Sequence, residues 1–324
     1  MAMKGFDKRW KDLPDYILGI TKEIWEDRNV HTLHGYYGKN MPKRSGDGIV
    51  VGAKNVIAET LGALAAAPGI QILGEDVIWS GNEDDGFLSS HRSYTFFPHT
   101  QEGPLGKPTG KILWQHCIAD CACRENIIYD EWVVHDNAAY VRQLGLDPKQ
   151  YARDVIMHEG GPEKCRKPFT LDQDVKGEYL SKGNDHWVGQ RYTDLMTRIM
   201  AADIAAVEQE YDRACHLRLP GGVNAHGRPP ADQFWLGLRA AFPSAKFEVH
   251  HQIGREDPGF SPRAALRWSL TGTHDGWGSF GAPTGAKVHI MGISHAEFGP
   301  WGLRREYVLY DEIAIWKQIT LHTG

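Results

Sequence analysis

The sequence lacks a strong excess of either charge. Its 36 Lys and Arg residues against 41 Asp and Glu residues give a formal net charge of −5, and no long basic run is present. Nucleic-acid and membrane-surface binding both depend on concentrated positive charge. The sequence also lacks an apolar stretch long enough to span a bilayer, and residues 1–16 lack the apolar centre of a secretory signal. We therefore expect a cytoplasmic protein with neither nucleic-acid nor membrane partners.

Cysteine is scarce, and its count is odd. Five cysteines in 324 residues do not form the pattern of a disulfide framework, which fits a reducing compartment. Cys117, Cys121 and Cys123 would share one face of a strand, but their spacing matches no zinc knuckle, and free cysteine is commonly a small buried hydrophobe. Phosphate-binding glycine loops and the nucleophile elbow of serine hydrolases are also absent. The prediction is a protein without metal or organic cofactor.

What the sequence does contain is an internal repeat. At an offset of 175, LGALAAAP (61–68) aligns with LGLRAAFP (236–243) at five of eight positions, and GKPTG (106–110) aligns with GAPTG (281–285). The run Tyr-Asp-Glu at 129–131 recurs at 310–312, an offset of 181, which predicts six extra residues within 297–306 of the second copy. A duplicated domain explains these matches.

Both copies show the same order of predicted elements. Each opens with helical segments, followed by four strand-like segments that Gly, Pro, Asn or Asp separate. Helices followed by an antiparallel meander predict the α+β class, with helices on one face of a curved sheet. We expect a first domain at 1–146, a connecting segment over the surface at 147–187, and a second domain at 188–324.

The motifs resemble those of one family. The turn PTGK with the ending DEWVVHDNAAYVRQLGL in the first copy, and GTHDGWGSFGAPTGAKVHIMGISHAEF in the second, resemble the SnoaL-like polyketide cyclases of the nuclear transport factor 2-like, cystatin-like superfamily. The resemblance covers about 13–146 and 190–322. It implies two tandem cone-shaped domains, each with a mostly apolar pocket for a small molecule. It also implies pairing of the domains through their convex sheet faces, as an intramolecular pseudo-dimer, and a possible homo-oligomer.

The resemblance also implies a catalytic set in the first domain. Asp136 resembles the family's acid/base, although Asp is equally a favoured residue at the start of a helix, such as one beginning at Asn137. His91, His116 and Asp120 are the candidate partners. His116 and Asp120 share one strand face, opposite the cysteines. If that face is the inner one they can act with Asp136, and if it is the outer one they are solvated.

Further residues are candidates for the walls of a binding pocket. Trp114 and Trp132 are expected in the cavity wall or the core of the first cone, and His274 and His295 are candidates for binding substrate in the second. The offset of 181 places Lys317 where Asp136 stands, so the second copy is not expected to have the same base. A metal site formed by His289, His295 and Glu297 is excluded, because such a strand would spread them over roughly 25 Å at about 3.3 Å per residue.

These features predict a cofactor-independent enzyme of the lyase or isomerase type, similar to an aldol cyclase, acting by general acid/base catalysis on a small or medium carbonyl compound. Cyclisation, isomerisation, dehydration and retro-aldol cleavage all begin with similar proton movement, so the sequence does not separate them. The alternative is a non-catalytic binding or scaffold protein of the same fold. An enclosed cavity containing Asp136 and a histidine would favour the enzyme, and filled cones would favour the scaffold.

Overall fold

The chain forms two units of mixed helix and strand, seen in a computed structural model that describes residues 3–324. The first unit and the segment after it contain α1 (Leu13–Trp25), α2 (Leu33–Tyr36), β1 (Pro42–Ser45), β2 (Gly48–Val51), α3 (Ala53–Ala66), β3 (Gln71–Asn82), β4 (Gly86–Pro98), β5 (Ile112–Arg124), β6 (Ile127–His135), α4 (Asn137–Gln143) and α5 (Pro148–His158). The second contains α6 (Trp187–Met200), α7 (Ala205–Glu210), β7 (Tyr211–Leu219), β8 (Val223–His226), α8 (Arg228–Ala241), β9 (Lys246–Arg255), β10 (Arg263–Thr273), β11 (Lys287–Gly299), β12 (Gly302–Tyr310) and α9 (Glu312–Thr323). The α+β class and the two tandem domains are confirmed.

Local sequence explains how the long helices begin. The Asp12 side chain accepts a hydrogen bond from the Asp15 backbone N–H at the start of α1, and Asp147 does the same for Gln150 in α5, with proline in the first turn of each helix. In α1, Ile17, Ile20 and Ile24 recur at helical spacing and are buried. This apolar stripe holds the helix against the sheet of its own domain.

Each domain has one six-stranded sheet. The strand orders are β2-β1-β6-β5-β4-β3 and β8-β7-β12-β11-β10-β9. The predicted meanders β3 to β6 and β9 to β12 are antiparallel, but β1 runs parallel to β6 and β7 runs parallel to β12. The short strands β1, β2 and β8 were not predicted. The nine-residue strand β7 was not predicted either, and it lies where the sequence predicted the end of a helical opening.

The repeat is continuous at an offset of 175, so the predicted six-residue insertion is wrong. The bounds of β5 match those of β11 at this offset, as do those of β6 and β12, and each domain joins its two strands by a two-residue turn. The run 129–131 lies within β6, whereas 310–312 spans the end of β12 and the start of α9. The counterpart of Asp136 is therefore Asp311, and Lys317 corresponds to Arg142.

The outer faces of the two sheets pack against each other. Ile118, Val134, Ile253 and Leu309 belong to one buried cluster that contains residues of both domains. Polar contacts also join the sheets, including the Arg267–Asp120 ion pair at 3.1 Å (Nε to Oδ2). Because each outer face is covered, its polar side chains are buried rather than solvated.

The segment 147–187 is more ordered than its composition predicted. It contains α5, which packs against α9, and the buried side chain of Phe169. Tyr179 joins the cluster between the sheets, and its backbone N–H donates to Asp130 Oδ2 at 3.1 Å. The segment therefore contacts both domains. Across residues 3–324, none of the helices combines the length and apolar character needed to cross a bilayer.

Candidate functional site

The inner face of the first sheet encloses a cavity of about 100 Å³. Helix α1 contributes Ile17, Ile20 and Ile24 to one wall, and Leu33, Val56 and Ile72 add further apolar surface. The polar groups lie mainly on the strands. They include Lys43, His91, Ser93, Thr95, Glu131 and His135. A mostly apolar hollow with a few convergent polar groups is typical of a small-molecule site.

Glu131 is the principal ionisable group in the cavity wall. It lies on β6 directly opposite Cys121 of β5, and its Oε1 accepts hydrogen bonds from the Tyr37 hydroxyl at 3.3 Å and the Cys121 thiol at 3.5 Å. Its Oε2 is buried and has no hydrogen-bond partner within residues 3–324. Burial raises the pKa of Glu131, against the opposing effect of Lys43. The raised pKa makes the carboxylate a stronger base towards a proton of the ligand.

Lys43 is the neighbour of Glu131 on the adjacent strand, since the two residues pair in register between β1 and β6. Its Nζ donates to Glu59 Oε2 at 2.5 Å. Burial alone would lower the pKa of Lys43, but Glu59 and Glu131 together raise it above its ordinary value. The ammonium group therefore stays charged at the cavity wall.

Two histidines complete the polar wall. Burial lowers the pKa of His91 to about 4, and burial with the nearby Lys43 lowers the pKa of His135 to about 4. Both imidazoles are neutral at pH 7, so each has one nitrogen that can accept a proton. The His135 Nδ1 lies 3.4 Å from Gln115 Nε2, and the His91 Nδ1 lies 3.4 Å from the Ser89 hydroxyl.

The cone of the second domain is filled by larger side chains at equivalent positions. Under the constant offset of the repeat, Thr60 corresponds to Trp235, Ser93 to Trp268 and His91 to Leu266, and all three residues of the second copy are buried in its core. Glu306 is the counterpart of Glu131. Its carboxylate accepts hydrogen bonds from Tyr192 at 2.8 Å and Tyr211 at 2.7 Å. Burial raises the pKa of Glu306 to about 7 despite those bonds.

Asp136, the predicted base, does not line the cavity. Its Oδ1 accepts a hydrogen bond from the Gly221 N–H at 2.6 Å, and its Oδ2 accepts one from the Gly222 N–H at 2.8 Å. Both glycines belong to the second domain. The side chain makes no capping bond to α4, so neither of the two expected roles describes its contacts. Burial raises the pKa of Asp136 to about 6, although the two backbone bonds oppose that rise.

His116 and Asp120 lie on the outer face of the sheet, as do the two predicted pocket tryptophans. His116 is buried beside Glu75 at 3.4 Å and beside the Tyr307 ring of the second domain. Asp120 pairs with Arg267, whose guanidinium lies 3.7 Å from the Trp132 ring centre. Trp114 stacks on Tyr94 with 5.7 Å between ring centres. His116 and Asp120 face neither a pocket nor bulk water, because the second sheet covers this face, and Trp132 belongs to the buried cluster between the sheets.

The candidate residues of the second domain also lie outside any cone cavity. His295 contacts the first domain, with Nε2 at 2.8 Å from the Ser90 hydroxyl and Nδ1 at 3.1 Å from Arg92. The His274 ring bonds through Nδ1 to the Thr284 hydroxyl at 3.0 Å, which fixes the Pro-Thr-Gly turn. The same bond joins His99 to Thr109 at 3.1 Å in the first domain. His274 therefore has a structural contact that the repeat preserves.

Sequence reasoning placed His91 in the cavity but missed Glu131, Lys43 and His135 as site residues. The alternation of β6 could have identified two of them, because Glu131, Val133 and His135 lie on one face of the strand. That face is paired with Cys117 and Cys121 of β5. The more apolar cysteine face was the one to assign to the interior. Within residues 3–324, no group of three or more His, Cys, Asp or Glu side chains could hold a metal ion.

Comparison with known proteins identifies the fold family. A family model described as a SnoaL-like domain matches residues 190–304. The chain has no significant match among curated proteins.

Solved structures similar to parts of the chain include proteins described as SnoaL-like or candidate polyketide cyclases. A SnoaL-like polyketide cyclase from Agrobacterium tumefaciens is 17% identical, covering 41% of this chain and 98% of its own, with a TM-score of 0.33. A candidate polyketide cyclase from Acidithiobacillus ferrooxidans is 18% identical, with 43% and 99% coverage and a TM-score of 0.37. IdmH from Streptomyces antibioticus, a candidate polyketide cyclase, is 15% identical, with 42% and 99% coverage and a TM-score of 0.35.

The family model matches the second domain, while the cavity lies in the first. The first domain has the elements of the second at the constant offset of the repeat, with the same strand order in its sheet. The second domain is a SnoaL-like domain, and the first domain repeats its elements in tandem.

Proposed function

We propose that the first domain is a cofactor-independent enzyme of the lyase or isomerase type. Its substrate is a small carbonyl compound, and Glu131 removes a proton from the carbon beside the carbonyl. The observation that carries this proposal is the buried Glu131 Oε2, which has no partner within residues 3–324 and belongs to a residue lining the cavity. A buried carboxylate oxygen without a donor is unfavourable, so the site is suited to a ligand that supplies a proton.

The neutral His91 is the proposed second polar group of the site. It lines the same cavity from β4, and its lowered pKa keeps the ring neutral, so that it can form a hydrogen bond with the ligand. In isomerisation and dehydration, Glu131 returns the proton to an atom other than the one that lost it, and a second polar group can orient the ligand for that step. The base proposed from sequence, Asp136, is replaced in this role by Glu131, since the Asp136 carboxylate is held by Gly221 and Gly222.

The second domain is proposed to support the first without catalysis of its own. Its cone is filled by Trp235 and Trp268, and its sheet buries the outer face of the first sheet. We propose that the chain is the covalent equivalent of a dimer formed through those faces. Joining two copies in one chain raises their effective concentration without any new contact. Five free cysteines support a location in the cytoplasm.

The test is solvent-deuterium exchange. Small aldehydes, ketones and hydroxy ketones are incubated with the protein in D₂O, and incorporation of deuterium beside the carbonyl is followed by NMR. We expect exchange of at least one compound, and we expect Glu131→Gln to slow it by about 10²- to 10⁴-fold, the usual contribution of a general base.

The matched control is Glu306→Gln, the same change at the equivalent position of the second domain. This variant should exchange deuterium at the wild-type rate, provided that circular dichroism shows it to be folded. Equal rates in wild type and Glu131→Gln would refute the assignment of the base.

The second candidate function is binding without catalysis, and the filled second cone favours it for that domain. For the first domain the two functions differ in one measurement. A compound that binds in the cavity and shifts the His91 NMR signals, but exchanges no deuterium, would identify a binding protein.

A further inference from the structure

Lys43 is a charged group in the cavity wall that proton abstraction by Glu131 does not use. The two side chains come from residues paired on adjacent strands, β1 and β6, and both line the cavity. A cation beside the base is the arrangement needed when a ligand gains negative charge as it loses a proton.

Lys43 has N–H donors that its protein contacts do not use. An ammonium group carries three N–H donors. Within residues 3–324, the side-chain hydrogen bond that Lys43 Nζ donates goes to Glu59 Oε2 at 2.5 Å. The side chain of Lys43 is 17% exposed, and the residue lines the cavity. At least one N–H donor is therefore available to a ligand.

Glu59 holds the lysine in its charged form and also contacts Arg166. Glu59 Oε2 bonds Lys43, and Glu59 Oε1 lies 3.8 Å from an Arg166 guanidinium nitrogen. The Glu59 charge is therefore shared between two cations, and the Lys43 charge is not fully neutralised by its partner. Arg166 comes from the segment between the domains, which gives that segment a positioning contact with the cavity wall.

The second domain has the carboxylate without the cation. Its Glu306 pairs in register with Leu217 of β7, where Glu131 pairs with Lys43 of β1. Leu217 is fully buried. The adjacent lysine and glutamate thus occur in the domain that has the cavity and not in the domain whose cone is filled.

We propose that Lys43 binds the oxygen of the ligand and stabilises it as an oxyanion. This inference rests on the proposed function. When Glu131 takes the proton from carbon, the C–H electron pair forms the new carbon–carbon double bond, and the carbonyl π pair moves onto oxygen. The enolate oxygen then accepts a hydrogen bond from Lys43 Nζ, and the proton held by Glu131 returns to the ligand in the next step. The ligands are therefore small compounds with an oxygen that can carry full negative charge.

A phenol that ionises near neutral pH tests this site without knowledge of the substrate, because its phenolate resembles an enolate in shape and charge. We would use 4-nitrophenol, with phenol as a smaller companion, and follow the bound phenolate by its absorbance. The wild-type protein should bind the phenolate in preference to the neutral phenol. Glu131→Gln should bind it more tightly, because a neighbouring negative charge is removed.

Lys43→Met should weaken phenolate binding by about 10- to 100-fold, the usual effect of losing a hydrogen bond from a charged donor. Lys43→Arg keeps a charged donor and should retain part of the affinity. Arg218→Met removes a charge from the residue next to Leu217, the register counterpart of Lys43, and should leave the affinity unchanged. The melting temperature of each variant is measured to establish that it is folded.

Two results would overturn the inference. One is binding of the neutral phenol alone, and the other is equal phenolate affinity in wild type and a folded Lys43→Met. Loss of deuterium exchange in Glu131→Gln with full exchange in Lys43→Met would keep the proposed function and refute the role of Lys43. Phenolate binding that needs Lys43, with no compound exchanged, would keep the oxyanion site and refute the enzyme.

Discussion

Filling the cavity of the first domain should stabilise the protein. Ala119 lies on β5 between Cys117 and Cys121, faces the cavity and is opposite His91 on the neighbouring strand. Ala119→Leu adds three carbon atoms at a place where about 100 Å³ is free. Burying three methylene equivalents contributes about 2.4 kcal/mol at about 0.8 kcal/mol each. Fixing the leucine rotamer costs about 0.5–1 kcal/mol. We expect the free energy of unfolding to rise by about 1.4–1.9 kcal/mol.

An Ala→Leu substitution in the filled cone should have the opposite effect on the free energy of unfolding. Ala296 is fully buried on β11, at the position equivalent to Cys121, within the core that contains Trp235 and Trp268. Extra carbon atoms in a packed core force side chains out of their preferred rotamers. Ala296→Leu should therefore lower the free energy of unfolding by about 1–3 kcal/mol.

Urea unfolding measures both effects. Tryptophan fluorescence gives the midpoint and slope for wild type and the two variants, and 4-nitrophenol binding is measured on the same samples. Ala119→Leu should raise the midpoint and abolish phenolate binding, whereas Ala296→Leu should lower the midpoint. Destabilisation by Ala119→Leu of more than about 1 kcal/mol, in the range that overpacking produces, would mean that the cavity is not free space.

Two further predictions concern the carboxylates between the domains. Asp136→Ala should lower the free energy of unfolding by about 3 kcal/mol, because two bonds from Gly221 and Gly222 to a charged group are lost at about 1.5 kcal/mol or more each. Deuterium exchange by the folded fraction should persist, and its complete loss would return Asp136 to the catalytic set. Burial, with the nearby Asp47, raises the pKa of Asp311 from 3.8 to about 7. The contribution of Asp311 to folding stability is therefore fully present below pH 3.8 and is lost as the pH rises from 3.8 to 7. Asp311→Asn, which keeps a helix-capping oxygen, should therefore gain stability over wild type progressively between pH 4 and pH 7 in urea unfolding; a pH-independent difference would contradict the raised pKa.

The long strands could be predicted from sequence because their alternation is strong and turn residues bound them. The short strands could not, since Pro42–Ser45 has only four residues, two of them charged, and pairs with β6 from a distant part of the chain. The start of β7 was hidden for another reason. Its residues continue a helical pattern from α7, and the parallel partner β12 determines its structure.

The site was harder to predict because alternation separates the two faces of a strand without saying which one is inside. His116 and Asp120 are polar and buried, a combination explained only by the second sheet packed against them. The second Tyr-Asp-Glu run aligns with the first at an offset of 181, six residues more than the true offset. That alignment places Lys317 opposite Asp136 and conceals Asp311 as its counterpart. A constant offset would have aligned Glu131 with Glu306 and Ser93 with Trp268.

The replacement of Thr60 and Ser93 by Trp235 and Trp268 has a consequence for stoichiometry. A protein with two copies of one domain would ordinarily be expected to bind two equivalents of ligand, and binding at the two sites could be cooperative. Here the aromatic side chains fill the second cone, and the ligand cavity described above lies in the first. A binding isotherm should be simple and hyperbolic, with an end point of one molecule for each chain.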